Sequence, residues 1–221
     1  MGNIIEIKNL SKTYGQGEVE VKALANVDLV IGKGEFVAIM GPSGCGKSTL
    51  LNMLGCLDKP NSGTYILDGK EVSKKTSSKT LAKIRRDKIG FIFQTFNLLS
   101  RTSVLNNVIL PAVYSGLKNR RQKATELLAR VGLAKRINHK SNELSGGEQQ
   151  RVAIARSLMN NPEIILADEP TGNLDSKSGA QIMKLLKELN SDGKTIIAVT
   201  HDENIAKQTS RIVRMKDGKI I

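Results

Sequence analysis

Residues Gly41 to Thr49 read GPSGCGKST, and no other stretch constrains the folding of this chain as tightly. Gly41, Gly46, Lys47 and Ser48 occupy the fixed places of the pattern G-x-x-x-x-G-K-[ST]. Ahead of it, Phe36-Val37-Ala38-Ile39-Met40 is an apolar run of strand length. Behind it, Leu50, Leu51, Met53 and Leu54 recur at helical spacing. A strand, a glycine-rich loop and a helix in that order make a cradle for phosphate. Glycines free the backbone to turn successive N–H groups inward, and the helix adds the positive end of its dipole. Lys47 supplies a mobile charge for β- and γ-phosphates, and Ser48 a hydroxyl for Mg²⁺. Gly41, Pro42, Ser43, Gly44, Cys45, Gly46, Lys47, Ser48 and Thr49 are therefore nucleotide-binding candidates.

At 221 residues, 39% of them hydrophobic, the chain can bury one large core or one core with a sizeable insertion. Its apolar runs are of strand length, far short of the ~18 residues a membrane span needs. The start, MGNIIEIKNL, lacks a basic-then-apolar leader, and Glu6 breaks the myristoylation pattern, so a cytosolic protein is expected. The two cysteines, Cys45 and Cys56, make neither a disulfide framework nor a metal site, and both are expected to be reduced. Cys45 lies near a helix N-terminus, which favours a thiolate; a redox switch and a merely tolerated position are both open. The net charge of +13 points to a polyanionic partner: nucleotide, nucleic acid or anionic membrane. The densest basic stretch, Lys70 to Lys88, holds Lys74, Lys75, Lys79, Lys83, Arg85 and Arg86. It has no interleaved aromatics, which argues against single-stranded nucleic acid. A solvated face explains it equally well.

Other strand-like runs are Ile4 to Asn9, Val27 to Ile31, Thr64 to Leu67, Ile89 to Phe93, Ile164 to Ala167 and Thr195 to Thr200. Asp68-Gly69 and Asp217-Gly218 read as hairpin turns, the second within a hairpin over Arg211 to Ile221. From residue 97 to 158, Leu, Val and Ala recur at helical spacing, as at Ala124, Leu127, Leu128 and Val131, so this segment reads as a helical insertion. His139 within it is read as a surface residue. Ser145 and Glu148 form a capping box for a helix running to about Met159. Capping does not account for Gly146 and Gly147, which weaken the helix yet free N–H groups for an anion. A second phosphate-binding helix start is expected there. Asp168 and Glu169 follow an all-apolar strand: Asp168 suits Mg²⁺ through water, and Glu169 suits polarising an attacking water. His201 ends another such strand. Gln94 follows the Ile89 to Phe93 run, where its amide reaches a metal or water, or simply caps the edge. Tyr14 is either a stacking platform for a base or an ordinary half-buried tyrosine. Ligands of open parallel α/β sheets bind beyond the carboxyl ends of the strands, so Lys47, Asp168, Glu169 and His201 converge although distant in sequence.

Together these motifs resemble the nucleotide-binding subunit of ABC transporters over essentially the whole chain. Gly41 to Thr49 is similar to the Walker A loop, and Ile164 to Glu169 to Walker B with its catalytic glutamate. Leu144-Ser145-Gly146-Gly147-Glu148-Gln149 is similar to the ABC signature, Gln94 to the Q-loop, Asn173-Leu174-Asp175 to the D-loop and His201 to the switch histidine. Tyr14 resembles the aromatic that stacks on adenine, which favours the first of its two readings. The D-loop begins Gly172-Asn173 rather than the commoner Ser-Ala. Gly55 to Pro60 and Phe93 to Leu99 resemble the lipoprotein-releasing and macrolide-export group. A cell-division ATPase is a near alternative, and a soluble assembly ATPase a further one.

The resemblance implies an α/β fold: a P-loop NTPase (RecA-like) core over 1–96 and 159–221 with an antiparallel β subdomain, and a helical subdomain, 97–158, bearing the signature. It implies ATP and Mg²⁺, the metal taken by Ser48, Gln94 and, through water, Asp168. Glu169, His201 and Lys47 are the implied catalytic residues. Ser145, Gly146, Gly147 and Gln149 would act in trans on the ATP of a second copy, with Asp175 at the seam. The implied partners are that second copy and a separate permease at the inner face of the cell membrane; no nucleic acid is expected.

Overall fold

A computed structural model describes residues 2–15 and 20–221. Two sheets face each other across one helix. In the first, β1 (Asn3–Tyr14) pairs antiparallel with β2 (Val21–Gly32) on one edge and with β4 (Ser62–Leu67) on the other, and β5 (Lys70–Val72) follows β4. In the second, the order is β10-β9-β3-β8-β7-β6. Here β3 (Phe36–Met40), β6 (Ile89–Ile92), β7 (Ile164–Asp168), β8 (Thr195–Val199) and β9 (Arg211–Lys216) run parallel, while β10 (Lys219–Ile220) turns back on β9.

β1 and β2 are both longer than their alternation predicts. Asn9 (φ 49°) and Asn26 (φ 50°) occupy the left-handed region, and the β1–β2 register shifts between Ile7 and Leu10. A bulge reverses which residues face inward, so the period-2 pattern breaks at Asn9 while the strand continues. The Ser11 hydroxyl pins the irregularity, accepting from the Asn26 N–H and donating to its Oδ1, each at 3.0 Å. Both expected hairpin turns form, with positive φ at Asp68 and Gly69 and at Asp217 and Gly218, as type I′ geometry requires.

The central strands are buried on both faces, and alternate residues feed different cores. Val37, Ile39, Leu166 and Ile197 face α1 (Lys47–Leu54) and the antiparallel sheet beyond it, together with Leu50, Leu51, Met53 and Leu54. Phe36, Ile165, Ala167, Ile196 and Ala198 face the opposite core, built on α5 (Gly146–Ser157) and α6 (Ser176–Ser191). α2 (Ser78–Lys88) leads into the edge strand β6. Residues 97–158 contain α3 (Val104–Ile109), α4 (Arg120–Arg130), α5 and short 3-10 turns, with a single isolated bridge, Ser103 to Lys140, as their β pairing. α7 (Glu203–Ala206) follows β8. Among the described residues no helix is long and apolar enough to cross a membrane.

Candidate nucleotide-hydrolysis site

β8 lies between β3 and β7, so the segments leaving their carboxyl ends are neighbours. After β3 comes the glycine loop. Gly46 has φ 100°, and a Cβ there would sit 2.4 Å from the Ala23 carbonyl; one on Gly41 would sit 2.3 Å from the Met215 carbonyl. Both positions need glycine because β2 and β9 press against the loop. Its outer side is tied down by the Gly218 N–H donating to the Cys45 carbonyl at 3.0 Å. The Lys47 ammonium folds back into the loop, donating to the carbonyls of Gly41 (2.7 Å) and Pro42 (2.9 Å). α1 begins with no side-chain cap and no acidic residue in its first turn. Its leading N–H groups and dipole are therefore available to an anion. Cys45 is buried, its sulfur 4.0 Å from the Lys47 ammonium.

After β7 come Asp168 and Glu169. Burial pushes the Asp168 carboxyl above its usual range, Glu169 adds to this, and Lys47 opposes it. Glu169 stands at φ 44°, an unfavourable conformation for a side-chain-bearing residue. Its backbone N–H donates to the Val199 carbonyl at 2.9 Å. The carboxylate is held from β8's end: Oε1 is 2.7 Å from His201 Nδ1 and 3.1 Å from the His201 N–H, and the Thr200 hydroxyl donates to Oε2 at 3.3 Å. An ionised carboxylate only accepts, so Nδ1 donates in this contact, on a side chain that is 74% exposed. Thr200 escaped the sequence reading because it looked like the strand's last residue. It is buried, and its hydroxyl points at the reacting group.

Gln94 lies past the end of β6, since that strand stops at Ile92. Its amide meets the D-loop, donating to Asn173 Oδ1 at 3.3 Å, while Asn173 Nδ2 donates to the Gln94 carbonyl at 3.0 Å. A Cβ on Gly172 would lie 2.9 Å from Gln94 Nε2, the movable end of that side chain. Two further residues were missed. Arg156 donates to the carbonyls of Phe96 (2.8 Å) and Asn97 (2.5 Å), both residues at positive φ. Gln150 is fully buried and donates to the Pro170 carbonyl at 2.6 Å, directly behind Glu169. Both sit inside an amphipathic helix, where polar residues read as solvent-facing.

Tyr14 ends β1 and is 40% exposed. Its hydroxyl donates to Asp58 at 2.9 Å, and the Lys12 ammonium lies 4.9 Å from the ring centroid. Burial and then Asp58 raise its pKa, with the Thr49 side chain opposing, so the phenol borders the loop helix.

The signature forms the start of α5, beside the D-loop: a Cβ on Gly146 would lie 3.9 Å from the Asn173 carbonyl. The capping box is present: Ser145 Oγ accepts from the Glu148 N–H at 3.3 Å, and Glu148 Oε2 accepts from the Ser145 N–H at 3.0 Å. Gly147 is buried, and a Cβ on it would meet Ser178 Oγ at 2.9 Å and Ser178 Cβ at 3.1 Å. Close approach to α6 therefore gives Gly147 a packing reason that sequence reading missed. Gly146 has none, since a Cβ there would meet Leu174 at an ordinary 3.5 Å. Gln149 donates to the Leu144 carbonyl at 3.0 Å. Asp175 caps α6, accepting from the Ser178 N–H at 2.9 Å.

A parallel sheet with an uncapped glycine loop after one strand and an aligned Asp-Glu after another defines a P-loop nucleotide hydrolase. The family model for ABC transporters matches residues 24–172. The macrolide export ATP-binding/permease protein MacB of Bdellovibrio bacteriovorus is 56% identical over 217 residues, 98% of this chain but 33% of that protein. The chain thus spans about a third of the length of the macrolide-export relatives it matches. An ABC transporter ATP-binding protein of Methanocaldococcus jannaschii, MJ0796, is 55% identical over 225 residues, covering 98% of this chain and 95% of that one. The dimeric, post-hydrolysis structure of the MJ0796 cassette bound to ADP and Pi superposes with a TM-score of 0.89 at 53% identity, over 98% of this chain and 96% of that one. The chain belongs to the ABC transporter family, as one of its ATPase cassettes.

Proposed function

We propose that two copies of this chain close on ATP, hydrolyse it in shared sites and use the motion to drive a membrane permease of the macrolide-export or lipoprotein-releasing kind. One observation supports this above the others. Glu169 is fixed in a strained conformation by Thr200 and His201, beside a loop whose helix start is free for phosphate. Gly41 to Thr49 wrap the phosphates, with Lys47 leaving the Gly41 and Pro42 carbonyls for the β- and γ-oxygens. Tyr14 offers its exposed ring to the adenine. Glu169 takes the proton of the attacking water, and His201 holds Glu169 and presents Nε2 toward the γ-phosphate.

The residues also fit Mg²⁺. Ser48 and Asp168 are hard oxygen donors, and Asp168 is a half-buried carboxylate whose charge burial and Glu169 disfavour, a state that a divalent cation relieves. Ser48 would hold the ion, Asp168 would reach it through water, and Gln94 would join after leaving Asn173. When bound, the ion neutralises charge on the β- and γ-phosphates.

Ser145, Gly146, Gly147 and Gln149 of one copy would face the γ-phosphate held by the other, with Asp175 at the seam. The dimeric ADP- and Pi-bound structure of the M. jannaschii relative supports such pairing. Stabilisation in trans resembles an arginine finger, worth about 10³–10⁵ in rate. The cassette divides into a core, 1–96 and 159–221, and a helical arm, 97–158, that passes the motion to the permease at the inner face of the membrane. The test is Glu169→Gln with ATP. It is expected to bind ATP with near-normal affinity, turn over at least a hundredfold more slowly and accumulate as a dimer by light scattering. Full turnover in that variant would remove Glu169 from its role.

A further inference from the structure

The signature start carries a contradiction. It is offered to the γ-phosphate of a partner, yet its own donors are engaged by an acid. The Ser145 N–H (3.0 Å) and the Ser145 hydroxyl (3.1 Å) both donate to Glu148 Oε2. Those bonds, first the backbone one, and then Arg136 hold the Glu148 carboxyl below its usual range, so it is an anion. A phosphate approaching the first turn of α5 meets a carboxylate already in the anion-binding position, and two anions there repel.

Arg136 resolves this. It ends the 3-10 turn Ala134–Arg136, and its Nε donates to Glu148 Oε1 at 3.1 Å, the oxygen that Ser145 does not use. The other end of the same guanidinium is anchored, with Nη1 3.1 Å from His139 Nε2. Arginine has no acceptor, so in that contact the ring nitrogen accepts and His139 is a tether. His139 is itself fixed by its carbonyl, which accepts from the Val104 N–H at 2.8 Å. The surface histidine and an unremarked arginine thus form a buttress behind Glu148.

We propose that Arg136 is a positioning residue for ATP-driven pairing: it takes over the charge of Glu148, so that Ser145 can release the carboxylate and turn its hydroxyl to the partner's γ-phosphate. This rests on the shared-site reading above and adds to it a residue outside the signature. A glutamine in place of Glu148 would serve the capping box as well as glutamate does, without the charge. The effect of losing Arg136 must therefore depend on whether the side chain it faces is charged.

The experiment uses the full chain carrying Glu169→Gln and measures the ATP concentration for half-maximal dimerisation by sedimentation, in four versions: parent, Arg136→Ala, Glu148→Gln and the double variant. Arg136→Ala is expected to raise that concentration about tenfold, the low end for an uncompensated charge a few ångströms from phosphate. Glu148→Gln is expected to pair at or below the parent's ATP concentration, and the double variant to match Glu148→Gln within about twofold. No shift in Arg136→Ala overturns the proposal. So does a shift that persists undiminished in the double variant, which would place Arg136 on the nucleotide itself or in the fold. A parent that stays monomeric at saturating ATP overturns the shared-site reading instead, and this one with it.

Discussion

A left-handed glutamate is expensive to keep, since the backbone clash costs of order 1–3 kcal/mol and persists only where neighbours over-determine it. Glu169 has such neighbours: the Val199 carbonyl on its N–H, His201 on one carboxylate oxygen and Thr200 on the other. The bond from Thr200 is a single donor to an ionised group, and such bonds are worth about 1.5–3 kcal/mol. Thr200→Val keeps the buried shape and removes the hydroxyl. It is expected to lower kcat about tenfold with KM for ATP unchanged, because nothing that binds nucleotide is touched. His201→Ala is expected to lower kcat further and to accumulate the ATP-bound dimer, as Glu169→Gln does. Steady-state kinetics on both variants checks this, and a rise in KM at constant kcat would move either residue from the hydrolytic step to nucleotide binding. Glu169, His201 and Lys47 were legible in the sequence because their chemistry is tied to strand ends and to a fixed spacing. Thr200 and Gln150 were not. A hydroxyl and an amide are common in strands and helices, and only the fold shows them buried and aimed at the Glu169 turn.

Elements were legible where one period ran unbroken. β3, β7 and β8 read cleanly because both faces are buried and nearly every residue is apolar. Half of β1 was lost at Asn9, where a bulge inverted the alternation. The start of α5 was legible as a cap, but its two glycines were given one explanation where the structure gives two. Gly147 packs against Ser178 of α6, so Gly147→Ala makes the Ser178 hydroxyl turn away and its Cβ yield slightly, and is expected to cost about 1 kcal/mol, read as a lower Tm. Gly146 has room for a methyl group, and exchanging glycine for alanine in a helix favours folding by up to about 1 kcal/mol. Gly146→Ala is therefore expected to hold or raise Tm while ATPase activity falls, since the methyl group enters the seam only when two copies close. If Gly146→Ala instead kept full activity, the first turn of α5 would not be where a partner's phosphate sits.

At the scale of the whole molecule, the +13 charge is less free than the composition suggests. Arg85 is spent on the Cys56 carbonyl, Arg86 on Asp87 and the Tyr114 carbonyl, and Lys88 on Asp68 and Glu163. Lys70, Lys74, Lys75, Lys79 and Lys83 are exposed on one margin of the fold. Near an anionic leaflet each contributes about 1 kcal/mol of attraction. Changing Lys74, Lys75 and Lys79 to Glu is expected to release the protein from phosphatidylserine vesicles in flotation at low salt, and unchanged binding would leave the permease as the sole anchor. The paired arrangement has a sharper consequence. In a head-to-tail dimer, each site takes its loop from one copy and its signature from the other, so damage to either motif is confined to particular sites. Lys47→Ala and Ser145→Arg are each expected to be inactive as homodimers. In a mixed dimer, one site receives both lesions and the other receives the intact loop of the Ser145→Arg copy with the intact signature of the Lys47→Ala copy. With random pairing and independent sites, an equal mixture recovers about a quarter of the parent's specific activity. A mixture as inactive as its components would mean that the two copies do not share their sites in this way, or that one intact site cannot turn over alone. The Glu169→Gln variant separates those outcomes: shared sites trap its dimer with ATP whether or not they fire independently.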